Sequence, residues 1–238
     1  MNKTLPLLFL IGRPAAGKSE IIDFLKRVTA STRAETFHIG HFLEIDDFPM
    51  IWSWFEEDDI LSRMGKPRLH TDKKGYFLFP ELWHVLIRRL ELEYWKKKED
   101  GLLDADTTVI IEFSRGKEHG GFREAFANFS DELLQQAAAL YIDVSFAESL
   151  RKNRRRFNPS KPHSILEHAL PDEKIKRLYE ESDWQDLSAG HPERLCLGER
   201  EIPYMVFANH DDVTSGSDEL LGARLRECLH TLWKRAGA

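Results

Sequence analysis

The chain has 238 residues, enough to bury a full core in one domain, and a formal net charge of −6 that gives no global attraction to nucleic acid. Its two cysteines, Cys196 and Cys228, belong to no metal or redox spacing and read as ordinary packing in a reduced, cytoplasmic protein. No apolar run after the first strand region is long enough to cross a bilayer.

The first element in chain order is an almost wholly apolar run over residues 5–11, the pattern of a buried parallel strand. Preceded by Lys3, it resembles the core of a signal peptide, but it is at the short end of the usual range of about 7–15 residues. Arg13 also follows it directly, so a strand is the expected reading. Next come Gly12, Arg13, Pro14, Ala15, Ala16, Gly17, Lys18 and Ser19, which spell G-x-x-x-x-G-K-S. In such a loop, glycines let backbone N–H groups turn inward around a polyphosphate. Lys18 supplies a point charge between the β- and γ-phosphates, and Ser19 offers a hydroxyl to Mg²⁺. Residues 19–28 then carry Ile21, Ile22, Leu25 and Val28 at helical spacing. Strand, glycine loop and helix is the context this motif requires, with an anion at the helix N-terminus.

A second strand is expected around residues 37–39, followed by the adjacent carboxylates Asp46 and Asp47. A carboxylate at this point would orient or deprotonate an acceptor hydroxyl. The same residues suit a helix N-cap or an Asx-turn, and one aspartate can cap while its neighbour faces a site. An aromatic and acidic stretch follows with Phe48, Trp52, Trp54 and Phe55, so residues 42–78 are expected to form a helical insertion on the acceptor side. Trp52 and Phe55 either stack on a ring or pack the insertion's own core.

A helix is expected over residues 79–98, and a β-branched strand over 107–113. The latter brings Glu112 to the carboxyl edge of the sheet, where it would support Mg²⁺, with Ser114 and Arg115 able to touch a substrate. A solvated strand-end glutamate is the plain alternative. Residues 123–138 read as a helix, 138–144 as a strand and 146–156 as a helix. That last helix carries Arg151, Lys152, Arg154, Arg155 and Arg156, the densest basic cluster in the chain. Positions four apart share a face, pairing Arg151 with Arg155, and such a face can close over transferring phosphates. A solvated basic face is the alternative; nucleic acid is the weaker reading without interleaved aromatics. Residues 158–163 would end the helix and begin a mobile segment, giving a lid over 151–180. A fifth strand over 202–208 and a helix over 217–234 complete the alternation. His38, His41 and His163 have no ligand spacing and read as packing or hydrogen-bonding residues.

These residues resemble the P-loop kinases of the nucleoside and nucleoside-monophosphate kinase type. Glu112-Phe113-Ser114-Arg115 is similar to the Glu-Arg-Ser signature of deoxynucleoside kinases, with Phe113 interrupting it. Asp46-Asp47-Phe48 is similar to the Asp-x-Phe-Tyr segment of uridine kinase and phosphoribulokinase relatives, with Pro49 where an aromatic is expected. Asn209 ends a segment similar to the loop near the nucleotide base. The resemblance implies one three-layer α/β P-loop NTPase domain over 1–238, with a five-stranded parallel sheet, a helical insertion and an arginine-rich lid.

It further implies an ATP- and Mg²⁺-dependent kinase acting on a small-molecule acceptor, nucleoside- or nucleotide-like by preference. Lys18, Asp46, Arg151 and Arg155 would be catalytic, with Gly12 to Ser19 and Asn209 at the nucleotide. Ser19 and Glu112 would meet the metal, and Asp47, Ser114 and Arg115 the acceptor. No membrane or nucleic-acid partner is expected, and a homodimer is compatible with the reading. The alternative is a nucleotide-binding ATPase or switch without a small-molecule acceptor. Asn209-His210-Asp211-Asp212 resembles the guanine-reading motif of GTPases but has His in place of Lys, and Glu112 has no glycine three residues later.

Overall fold

The computed structural model describes residues 3–156, 160 and 169–237. The chain enters on β1 (Leu7–Gly12), buried along its whole length. Leu7, Phe9 and Ile11 point into one core, and Leu8 and Leu10 into another. A strand covered on both faces must be apolar throughout, which is what residues 7–11 supply. Then follow α1 (Lys18–Arg27), α2 (Ala30–Phe37), β2 (His41–Asp46), α3 (Phe48–Arg63), α4 (Leu82–Glu99) and β3 (Thr107–Phe113). The second half contains α5 (Gly121–Ala127), α6 (Asp131–Leu134), β4 (Ala137–Asp143), α7 (Phe146–Arg156), α8 (Asp172–Tyr179) and α9 (Trp184–Ser188). It ends with β5 (Arg194–Leu197), β6 (Arg200–Ala208) and α10 (Asp218–Ala236).

Among the described residues six strands form one sheet in the order β2-β3-β1-β4-β6-β5. All neighbours are parallel except β5, which is antiparallel to β6 at the edge. The expected five strands are therefore joined by a sixth. It is only four residues long, and Gly198 (φ +67°) turns it into β6. Helices α4, α5, α6 and α9 cover one face of the sheet, and α1, α2 and α10 the other. The chain runs from β1 outward to β2, returns to β3 beside β1, then crosses to β4 on β1's other side. The carboxyl end of β1 is thus a topological switch point, where open α/β sheets hold their ligands.

Two local expectations are corrected. Residues 35–37 belong to the end of α2, and the second strand begins only at His41. His38, left-handed at φ +55°, closes that helix by donating its backbone N–H to the Arg33 carbonyl. Buried Arg33 then fixes the connection by donating to the carbonyls of Gly40, Leu25 and Val28. The helix expected over 123–138 is two helices, α5 and α6, because Ser130 starts a new one by accepting from Leu133 N.

The segment after β2 consists of one long helix, α3, and an irregular return. Fully buried Asp58 organises that return: its carboxylate accepts from the backbone N–H groups of Leu69, His70 and Thr71 and from the Thr71 hydroxyl. Those bonds hold its pKa below the usual carboxylate range despite burial. A third, smaller apolar cluster joins α8 to Tyr76, Phe146 and Leu150, so the return packs against the second half of the chain.

Candidate functional site

The loop between β1 and α1 is held in shape by its own glycines and by a brace behind it. A Cβ on Gly12 would lie 2.8 Å from the Ile142 carbonyl of β4. Gly17 has φ +114°, and a Cβ there would meet Thr214 Oγ1 at 2.6 Å. Ala15 is left-handed at φ +55°, a conformation alanine rarely adopts. Buried Asn209 holds this turn from behind: its amide donates to Ala16 O and to Thr214 Oγ1, both at 2.8 Å. Asn209 therefore supports the loop from the interior. Arg13 anchors the other flank by donating to the carbonyls of Val144, Tyr179 and Glu180.

Lys18, the first residue of α1, is buried. Its ammonium donates to Ser114 Oγ at 2.8 Å and to Arg13 O at 3.3 Å, and stands 3.8 Å from Glu112 Oε1. Glu112 is the strand partner of Leu10 on β1 and of Asp46 on β2. That register brings the glycine loop and both carboxylates to one sheet edge. Lys18, Ser19, Asp46, Asp47, Glu112 and Ser114 line a cavity of about 190 Å³. The Asp46 pKa is pushed well above the ordinary carboxylate range, by burial first, then by the charges of Glu112 and Asp47. Glu112 is raised as well, chiefly by burial, while Lys18 and Arg156 pull it back. Asp46 and Glu112 are thus carboxylates that burial makes costly to ionise, whereas Asp47 beside them is paired with Arg115.

Turn and cavity meet in the same aspartate. Asp46 accepts from Phe48 N at 3.0 Å, an Asx-turn that launches α3, and still lines the cavity. Asp47 makes no capping bond. It accepts from Arg115 at 2.6 Å, and both side chains are buried. Arg115 also lies over the rings of Trp83 and Phe113. It does not line the cavity, contrary to the expectation of a substrate-touching arginine: its guanidinium is taken up by buried Asp47.

The basic helix α7 is turned differently from the expectation. Arg151 bonds Glu148 and Asp212 on the surface and does not line the cavity, and neither does Arg155. Buried Lys152 instead reaches Thr214 Oγ1 at 3.0 Å and Asp212 at 2.6 Å, behind the glycine loop. The cavity is lined by Asn153 and Arg156, one turn apart. Asn153 also exchanges two hydrogen bonds with the backbone of Leu170. The sequence signal was there: Asn153 is the one neutral residue in the basic run, and Arg156 is three positions on. Of the segment expected over 158–163, Asn158, Pro159, Lys161, Pro162 and His163 lie outside the described residues. His38 is a packing residue, stacked on Trp233 and bonded to His230.

A second cavity of about 660 Å³ adjoins the first and shares Phe48, Ile51, Leu170 and Tyr179 with it. Trp52, Phe55, Tyr76, Phe77 and Trp83 give it aromatic walls. Trp52 and Phe55, expected either in the insertion's core or at a ring, face this space, whereas Trp54 is buried and stacks on His70. Among the described residues, no three His, Cys, Asp or Glu side chains are arranged to enclose a metal ion, and no helix is long and apolar enough to cross a membrane.

The chain matches no protein-family model and no curated protein. Among solved structures it is similar to TT1252 from Thermus thermophilus, at 13% identity over 96% of this chain and 98% of that one, with a TM-score of 0.45. It is also similar to an unliganded sugar kinase from Janibacter sp. HTCC2649, at 13% identity over 94% of each chain and a TM-score of 0.40. The corresponding values for APE1195 are 14%, 98% of each chain and 0.41. Overlap this distant assigns this chain neither a family nor a substrate.

Proposed function

We propose that the protein is an ATP-dependent small-molecule kinase that transfers the γ-phosphoryl group to a hydroxyl acceptor. One observation carries the reading: buried Lys18 of the glycine loop and the carboxylates Asp46 and Glu112 converge on one cavity, which opens into a larger one. The loop's backbone and the N-terminus of α1 would cradle the phosphates. Lys18 exchanges its bond to Ser114 for the transferring phosphoryl group, and Arg156 adds charge from the facing helix. Asp46, with its proton affinity raised, suits the role of accepting the acceptor's hydroxyl proton. A phosphate-monoester acceptor is disfavoured, because Arg115, the arginine nearest Asp47, is already neutralised by it.

Mg²⁺ fits the donor set. Ser19 and Glu112 offer only oxygen ligands, and a cation beside Glu112 would offset the cost of ionising a buried carboxylate. Without an enclosing cage, the ion would take one or two protein oxygens and complete its shell with water and phosphate oxygens. When bound, it would neutralise charge on the β- and γ-phosphates.

The test is ADP release from ATP and Mg²⁺ across nucleosides, sugars, small alcohols and nucleoside monophosphates, with the Lys18→Ala protein as blank. Release that depends on one hydroxyl class supports the kinase reading. Tight ATP binding with only slow, acceptor-independent release overturns it in favour of a nucleotide switch.

A further inference from the structure

The larger cavity has a chemistry of its own. At about 660 Å³ it is the size of a site for a ring-bearing small molecule. One wall is Trp52 and Phe55 of α3; the facing parts come from Tyr76 on the return and Trp83 on α4. Flat aromatic walls favour a flat occupant, because stacked rings gain more than their buried area alone gives.

The charges around the cavity do not balance. Its acids are Glu56, Asp59 and Glu118, and its cations are Arg68, Lys73, Lys74, Lys174 and Arg177. Asp59 is paired with Arg68 at 2.7 Å, and Glu118 with Arg177 at 2.7 Å. Glu56 accepts from the Trp52 indole N–H. Three lysines then face one glutamate. Lys73 and Lys74 sit on the exposed turn, but Lys174 is held inward. Its ammonium lies 5.1 Å from the Phe55 ring centre and 5.2 Å from that of Tyr76. It forms no ion pair with any described carboxylate, and Asp72 acts on it only through its field. Gly75 makes room for it: a Cβ there would come within 2.5 Å of Lys174 Nζ. Burial lowers the pKa of Lys174, so the structure bears a cost for keeping an ammonium here without a carboxylate.

Resting on the kinase reading for the adjoining cavity, we infer that the larger cavity takes an acceptor with a flat aromatic ring and an anionic group. Its anion meets the ammonium of Lys174, its ring lies between the α3 aromatics and Tyr76, and its hydroxyl points toward Asp46. Lys174 is then the residue that selects charged acceptors over neutral ones. Because a neutral analogue would leave the lysine desolvated and unpaired, discrimination is expected to exceed 10-fold, about the effect of one unsatisfied buried charge.

The probes are a matched pair, 6-(hydroxymethyl)-2-naphthoate and its carboxamide, with binding read by quenching of the cavity tryptophans. In the wild-type protein the naphthoate should bind about 10-fold or more tighter than the carboxamide. Lys174→Met should abolish that preference, weakening the naphthoate and tightening the carboxamide, which no longer leaves an ammonium unpaired, and Lys174→Arg should restore part of it. Equal binding of the pair, no binding of the naphthoate, or a preference that survives in a folded Lys174→Met protein overturns the inference. ADP release with the same compounds is read separately. Selective binding without release leaves the inference standing and counts against the kinase reading; release from the carboxamide as readily as from the naphthoate does the reverse.

Discussion

Arg115 and Asp47 form a buried ion pair, guanidinium to carboxylate at 2.6 Å, and its aspartate lines the cavity that Lys18 enters. The pair joins the loop after β3 to the start of α3, so it sets where Asp46 stands. Removing one partner leaves an uncompensated charge in the interior. Arg115→Met should therefore cost about 3–5 kcal/mol in urea unfolding, and the double change with Asp47→Asn should recover most of it. A single variant as stable as the double one would show that the pair is not structural.

Lys18→Ala should abolish acceptor-dependent ADP release, since it removes the buried ammonium closest to Glu112 and Ser114. Stability should fall as well, because the change leaves buried Glu112 with less opposing charge, so the protein is checked for folding before turnover is compared. Turnover within 10-fold of wild type would remove the basis for the site.

Asp46→Asn should lower transfer to a hydroxyl by about 10²-fold or more. Its effect on stability has a definite pH sign. A carboxylate whose pKa is raised on folding is easier to keep protonated in the native state, so stability falls as pH rises from the ordinary carboxylate range through the raised value. The asparagine variant lacks that loss. Its advantage over wild type in urea midpoint should grow from pH 5 to pH 8; a constant difference would mean that folding does not raise the Asp46 pKa.

His119 acts in the opposite pH direction. Burial, helped by Arg115, depresses its pKa to about 3, and it stacks on Trp83 at 3.7 Å. A histidine held neutral on folding contributes stability that is present above its unfolded pKa and lost as pH falls below it. Between pH 6.5 and 5 the wild-type protein should lose about 2 kcal/mol more than His119→Gln, at about 1.4 kcal/mol per unit. Parallel curves would place the acid sensitivity elsewhere.

Arg156→Ala should reduce turnover about 10-fold or more with a smaller effect on nucleotide affinity, whereas Arg155→Ala should change either by less than about twofold. The reverse ranking would return the role to the face bearing Arg151 and Arg155.

The parallel strands were legible because central strands must be apolar on both faces, and residues 7–11 and 107–113 carry no other pattern. The strand–loop–helix around Lys18 was legible for the same reason, together with its glycines. What sequence could not give was direction. Arg115 was read as facing a substrate, yet it is the partner of Asp47, which does line the cavity, and that pairing is decided by a contact 68 residues apart in the chain. Asn209 was assigned to a base and instead bonds Ala16, 193 positions away. On α7, spacing sorted residues onto faces but could not say which face turns inward; the inward choice follows from Lys152 meeting Asp212 and Thr214.

That last contact has a mechanical consequence. Thr214 receives the ammonium of Lys152 and the amide of Asn209, and Asn209 in turn holds Ala16. The first half of α7, the turn after β6 and the glycine loop are therefore one hydrogen-bonded body. Displacing α7 ahead of Lys152 would break the bonds that hold the glycine loop. Backbone amides of the loop and of the first turns of α7 should exchange with deuterium together, as one opening unit.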